Sequence, residues 1–267
     1  MTFTDKVVAI TGASSGIGRA LALDALNRGA FVAVCARNLE KLKGSFPQHE
    51  RLLLLAADVS KESDCNSFIE ATIAQWGRVD VLINNAGSSM RALFQDLDLK
   101  VLRELMDVNY WGTVCTTKAA LDSIIKHKGT IVGVSSIAGY RGLPGRTGYS
   151  SSKFAMQGFM ESLRTELLYK DVNVMWVAPG FTASNIRNTA LAADGSAQKE
   201  TPLDESKLMS SETCARIILD GVEKRKRTIV MTGQGKLTVF LSKFLPGFLD
   251  KMVFNHFAKE PNSPLKR

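Results

Sequence analysis

Short apolar runs recur along the chain, separated by stretches whose apolar positions fall three and four residues apart. The runs Lys6–Thr11, Phe31–Ala36, Leu52–Ala57, Val79–Ile83, Thr130–Ser135, Val172–Ala178 and Thr228–Met231 read as buried strands. Helical spacing takes over between most of them. Met156, Phe159, Met160, Leu163 and Leu167 form one such stripe. Apolar strands alternating with helices predict a parallel sheet covered on both faces. Seven strands joined by right-handed crossovers predict a doubly wound, Rossmann-like α/β fold. No repeat or linker interrupts this pattern before about Gly233, so residues 1–233 read as one domain and 234–267 as a helical C-terminal extension. The stretch Phe181–Ser210 is long, polar and rich in small residues, as expected of a lid over the strand ends.

Composition narrows the function classes. The 267 residues are 45% hydrophobic, as for a domain with a substantial core. The four cysteines form no Cys-x-x-Cys pair and the three histidines lie far apart, so a metal site or disulfide framework is not expected. A strand pattern that begins at Lys6 leaves no room for a signal peptide, and a reducing cytoplasmic setting is expected. The net charge is +8, but ten Lys or Arg against three acids from Glu223 onward account for nearly all of it. A near-neutral body is not the basic face of a nucleic-acid binder.

The first strand runs into Thr11-Gly12-Ala13-Ser14-Ser15-Gly16-Ile17-Gly18-Arg19. Glycines there let the backbone approach a pyrophosphate, which the next helix N-terminus would hold through Ser14, Ser15, Gly16, Ile17 and Gly18. The second strand ends in Ala36-Arg37-Asn38, with no carboxylate to hold a ribose 2′-hydroxyl. Arginine at that point accommodates a 2′-phosphate, so the expected cofactor is NADP(H). Tyr149 and Lys153 stand four residues apart and share a helix face. A free phenol titrates at about 10, and a nearby cation lowers it. Tuned in that way, Tyr149 serves as a general acid or base.

Taken together, these pieces resemble the short-chain dehydrogenase/reductase family over residues 6 to about 232. The match adds Asp58-Val59, Asn84-Asn85-Ala86-Gly87, Asn109, Ser135-Ser136 and Pro179-Gly180 in the family's order. The resemblance implies that Tyr149 exchanges a proton with the substrate oxygen and that Ser136 hydrogen-bonds that oxygen. Ser136 is implied rather than Ser135 because it stands thirteen residues before Tyr149. Lys153 would tune Tyr149 and hold the nicotinamide ribose, and Asn109 would position a relay water. Asp58 and Val59 would meet the adenine. Asn85, Ala86 and Gly87 would line the groove, and Pro179, Gly180 and Thr182 would border the nicotinamide. Two positions depart from the pattern: Ser15 replaces a basic residue common in NADP-using relatives, and Ser184 replaces a usual threonine.

In the extension, apolar and basic residues interleave from Lys236 to Phe254, too interrupted to span a bilayer. Packing on the chain's own domain, a subunit contact and a membrane interface all remain open for it. The family resemblance extends here to a steroid- and lipid-processing branch, with a homodimer or homotetramer implied. The expected function is an oxidoreductase moving hydride between NADP(H) and a lipophilic ketone or secondary alcohol. A ketoacyl-thioester reductase and a non-catalytic NADP(H)-binding protein are the alternatives.

Overall fold

The computed structural model describes residues 2–183, 185–198 and 208–266. Seven parallel strands form one sheet in the order β3-β2-β1-β4-β5-β6-β7. They are β1 (Val7–Thr11), β2 (Phe31–Ala36), β3 (Leu52–Ala56), β4 (Val81–Asn84), β5 (Thr130–Val134), β6 (Asn173–Ala178) and β7 (Thr228–Val230). The helices are α1 (Gly16–Asn27), α2 (Leu39–Lys43), α3 (Glu62–Trp76), α4 (Leu99–Met106), α5 (Gly112–Lys126), α6 (Thr147–Glu166), α7 (Ser211–Glu223), α8 (Gly233–Phe244) and α9 (Pro246–Ala258). Strand order reverses at β1, which lies between β2 and β4. In an open α/β sheet a ligand crevice opens beyond the strand ends at such a switch point.

Alternation along each strand divides the core in two. Val8 and Ile10 join Val32, Val34, Val81 and Ile83 under α1 and α7. Ala9, Ala33, Leu82 and Ile131 point the other way, into a core shared with α3, α5 and α6. This two-residue period is the pleat itself. Burying each Val, Leu or Ile side chain contributes about 1.5–3 kcal/mol. The stripe on α6 behaves as its spacing predicts. Met156, Met160, Leu163 and Leu167 are buried in the second core, with Phe159 packed against it. Two of the seven runs are less buried than expected. β3 and β7 are only partly buried, because each is an edge strand with a neighbour on one side.

The segment expected to act as a lid is tied to the body where the structure describes it. Leu191 N donates to Ser89 O (2.8 Å), and Arg91 N donates to Leu191 O (2.9 Å). Ser184 lies outside the described residues. Beyond β7, α9 buries Leu249 and Phe257, while Leu237, Phe240, Phe244, Leu245, Phe248, Met252 and Phe254 remain exposed. Asp250 on α9 also pairs with Arg141. Among the described residues no helix is long and apolar enough to cross a membrane.

Candidate active site

A cleft of about 410 Å3 opens past the ends of β1, β4, β5 and β6. Its floor begins at the turn after β1. Gly12 (φ +69°) and Gly16 (φ +55°) adopt the left-handed backbone that favours glycine. A Cβ on Gly12 would stand 2.6 Å from Ala86 Cα, and one on Gly18 would collide with the Asn85 amide. Ser15 caps α1 without a side-chain hydrogen bond, and no acid stands in the helix's first turn. The turn therefore keeps backbone amides and a positive dipole end for an anion. Ser14, Ser15 and Ile17 line the cleft beside the glycines.

Asn85 fastens β4 to this turn. Its Nδ2 donates to Thr11 O (2.9 Å) and Gly12 O (3.0 Å). The backbone amides of Asn85 and Ala86 both donate to Thr11 Oγ1. Ala86 and Gly87 continue along the cleft wall. At the far mouth, Arg37 is exposed on the lining. Asn38 caps α2, its Oδ1 accepting from Lys41 N (2.9 Å). Asp58 and Val59 line the same end. The Asp58 carboxylate accepts from Ser60 N and Oγ, and Val59 packs on Gly112. Lys41 also lines this mouth. Sequence reasoning missed it, because a lysine on a short polar helix carries no signal of its own.

Two adjacent serines leave β5 with different partners. Ser135 is buried, and its hydroxyl accepts from Gln157 Nε2 (2.8 Å). Ser136 starts a tight turn, accepting from Ala138 N (3.1 Å), and lines the cleft together with Tyr149. Tyr149 lies in the first turn of α6, with Lys153 one turn on. The Lys153 ammonium stands 5.9 Å from the centre of the Tyr149 ring and donates to Val134 O (2.9 Å). Only 2% of Lys153 is exposed, and burial pushes its pKa down to about 8.

The expectation for Tyr149 is corrected here. Loss of solvent pushes its phenol above the usual value, while the Ser136 hydrogen bond, Arg146 and Arg187 pull it down. Desolvation outweighs the opposing charges, and Lys153 directs its proton to a backbone carbonyl.

Asn109 does not line the cleft; it is buried behind it, in a wide helical turn between α4 and α5. Its Oδ1 accepts from Ser88 N (2.8 Å), and its Nδ2 donates to Ser88 O (2.9 Å) and Ser152 Oγ (2.8 Å). Both amide protons are thus engaged, which ties the β4 exit to α6. Pro179, Gly180 and Thr182 line the side formed after β6, joined by Asn185, Ile186, Thr189 and Leu191, which no motif had marked. A Cβ on Gly180 would stand 2.7 Å from Thr232, which brings the start of α8 against this wall. Among the described residues no group of three His, Cys, Asp or Glu side chains could hold a metal.

The short chain dehydrogenase family model matches residues 6–194. The chain belongs to the short-chain dehydrogenase family. A mouse protein, dehydrogenase/reductase SDR family member 7B, is 32% identical over 97% of this chain and 83% of its own length. The human SDR family member 7 is 34% identical over 91% of this chain and 75% of its own. An Arabidopsis thaliana 11-beta-hydroxysteroid dehydrogenase-like 4A is also 34% identical, over 91% of this chain and 82% of its own. Among solved structures, a Burkholderia cenocepacia short chain dehydrogenase in complex with NADP superposes with a TM-score of 0.81. It is 24% identical and covers 95% of this chain and 99% of its own. A Burkholderia phymatum short chain dehydrogenase/reductase in complex with NAD reaches 0.80 at 19% identity, over 93% of this chain and 96% of its own. At those identities the likeness is one of fold. This short-chain dehydrogenase is thus a member of an oxidoreductase enzyme family with the family's Rossmann-like sheet.

Proposed function

We propose that the protein transfers hydride between NADP(H) and a ketone or secondary alcohol, with Tyr149 handling the proton. The observation that carries this reading is that Ser136, Tyr149 and Lys153 line the same cleft as the N-terminus of α1. The glycine turn fits a dinucleotide: side chains at Gly12 or Gly18 would close it, and it holds no internal anion. When bound, the nicotinamide supplies or accepts the hydride. The residues of this chain do the rest. In the reducing direction Tyr149 gives its phenolic proton to the substrate oxygen as that oxygen gains negative charge, and Ser136 donates a hydrogen bond to it. Lys153 sustains the resulting tyrosinate and would hold the nicotinamide ribose. Asn109 supports a proton path to solvent through Lys153. Asp58 and Val59 would meet the adenine end, and Pro179, Gly180 and Thr182 would border the nicotinamide.

Arg37, with Lys41 beside it, supports preference for a 2′-phosphate, as does the lack of an acid at the end of β2. A lipophilic carbonyl substrate is supported by relatives named for hydroxysteroids and by the apolar α8–α9 face beyond the site. That face carries exposed Lys236, Lys243, Lys251 and Lys259, which suits an anionic lipid surface. Exposed Trp111, Phe154 and Leu168 suit contact with a second copy of the chain. Oxidation of NADPH and NADH across a panel of ketones, steroids included, tests the reading. Turnover with NADPH that Tyr149→Phe abolishes while nucleotide binding survives is expected. No turnover of any panel member by the wild type would overturn it.

A further inference from the structure

The C-terminal extension reaches the substrate side of the fold through a buried charge cluster that the mechanism above does not use. Glu260, just after α9, is 7% exposed. Its Oε2 stands 3.4 Å from Arg91 Nη2, and its Oε1 stands 3.9 Å from Arg146 Nη2. Arg91 Nη2 also donates to Pro261 O (2.7 Å). The Arg146 guanidinium lies over the Phe257 ring at 5.6 Å and reaches Met90 O at 3.4 Å. A Cβ on Gly145 would already touch Pro264.

Both arginines sit at junctions of the site. Arg146 caps the N-terminus of α6, three residues before Tyr149. Arg91 follows the β4 exit, and its backbone amide donates to Leu191 of the cleft wall. Ala92 N donates to Gly145 O, closing the ring between the two segments. The cluster thus joins the tail, the cleft wall and the start of the catalytic helix. It holds two guanidiniums and one carboxylate, so removing the carboxylate leaves buried positive charge without its counterion.

We propose that Glu260 is a positioning residue for this site: docked between Arg91 and Arg146, its carboxylate moderates the charge that Arg146 presents to Tyr149. The proposal rests on the reading of Tyr149 as the proton-handling group. The groups facing Tyr149 are Ser136 from the end of β5, Lys153 and Arg146 from α6, and Arg187 from the segment after β6. Those facing Arg146 are Glu260 from the tail, Arg91, Arg187 and Tyr149. Among the described residues Glu260 is the carboxylate that faces Arg146, so its loss changes the balance in one direction.

The test titrates tyrosinate by ultraviolet absorbance in the nucleotide-free protein, subtracting a Tyr149→Phe control to isolate one of the four tyrosines. In Glu260→Gln the Tyr149 midpoint should fall by about 0.5–1 pH unit, because Arg146 acts on the phenol without its counterion. Glu260→Asp keeps the charge and should keep the wild-type midpoint. Should Glu260→Gln fail to fold, Arg91→Met/Glu260→Gln read against Arg91→Met alone isolates the carboxylate and should show the fall. A midpoint that stays or rises in either folded variant would overturn the proposal and leave Glu260 a structural anchor. The titration needs neither substrate nor nucleotide, so its failure is distinguishable from absent turnover.

Discussion

Ser135 and Ser136 are neighbours in the chain with opposite allegiances: one hydroxyl accepts from Gln157 in the core, the other lines the cleft with Tyr149. The extended backbone at the end of β5 sends successive side chains to opposite faces, so one serine holds α6 and the other meets its reactive phenol. Exchange of either for alanine should separate the two roles. Ser136→Ala should cut kcat by about 100-fold, as loss of one oxyanion donor does, with little change in melting temperature. Ser135→Ala should leave Gln157 without its buried acceptor and lower stability by about 1–3 kcal/mol, read by chemical denaturation. Equal activity losses in the two variants would refute the division.

Lys153 should make the nucleotide-free protein more stable as pH rises above neutrality. Its folded pKa is depressed to about 8 from a reference value of 10.5. Between those values the unfolded chain holds more protons, so unfolding free energy increases with pH. Below about 8 both states are charged, and the burial penalty is present in full. Lys153→Met removes that penalty along with the hydrogen bond to Val134 O. The stability difference, variant minus wild type, should be largest near neutral pH and shrink towards pH 10.5. Thermal melts across that range that run parallel would count against it.

Arg37 and Lys41 should decide between the two nucleotides. Arg37→Ala/Lys41→Ala should raise KM for NADPH roughly ten- to 100-fold, the loss of one or two charge-assisted hydrogen bonds, and leave NADH nearly unaffected. Matching losses for both nucleotides would show that these cations do not select phosphate.

The exposed aromatics of α8 and α9 should govern binding to anionic vesicles. Phe240 and Phe244 pair at 4.8 Å, and Phe244 is 65% exposed. Phe240→Ser/Phe244→Ser/Phe248→Ser should abolish co-sedimentation with phosphatidylserine vesicles while leaving the melting temperature nearly unchanged, since these side chains are exposed. Undiminished co-sedimentation would remove lipid as the occupant of this face.

Much of the architecture was legible because it rests on local pattern. Apolar runs of strand length, helical spacing on α6 and a glycine turn between β1 and α1 are properties of neighbouring residues. Strand bounds moved by a residue or two at β4, where the run from Val79 begins before the ladder does. Lys41 escaped notice because a lysine on a five-residue helix looks like any solvated charge until the cleft is seen.

The linear chain thus determined the alternation of layers, the nucleotide-type turn and the shared helix face of Tyr149 and Lys153, each set by spacing along a few turns of backbone. Three-dimensional packing decided what spacing does not encode. It left β3 and β7 half-covered at the sheet edges and buried Lys153 against Val134 O. It also brought Glu260 to Arg146 across 114 residues of chain. Desolvation and long-range charge depend on which distant segments exclude water from a group. That exclusion exists only once the sheet, the cleft wall and the tail have closed together.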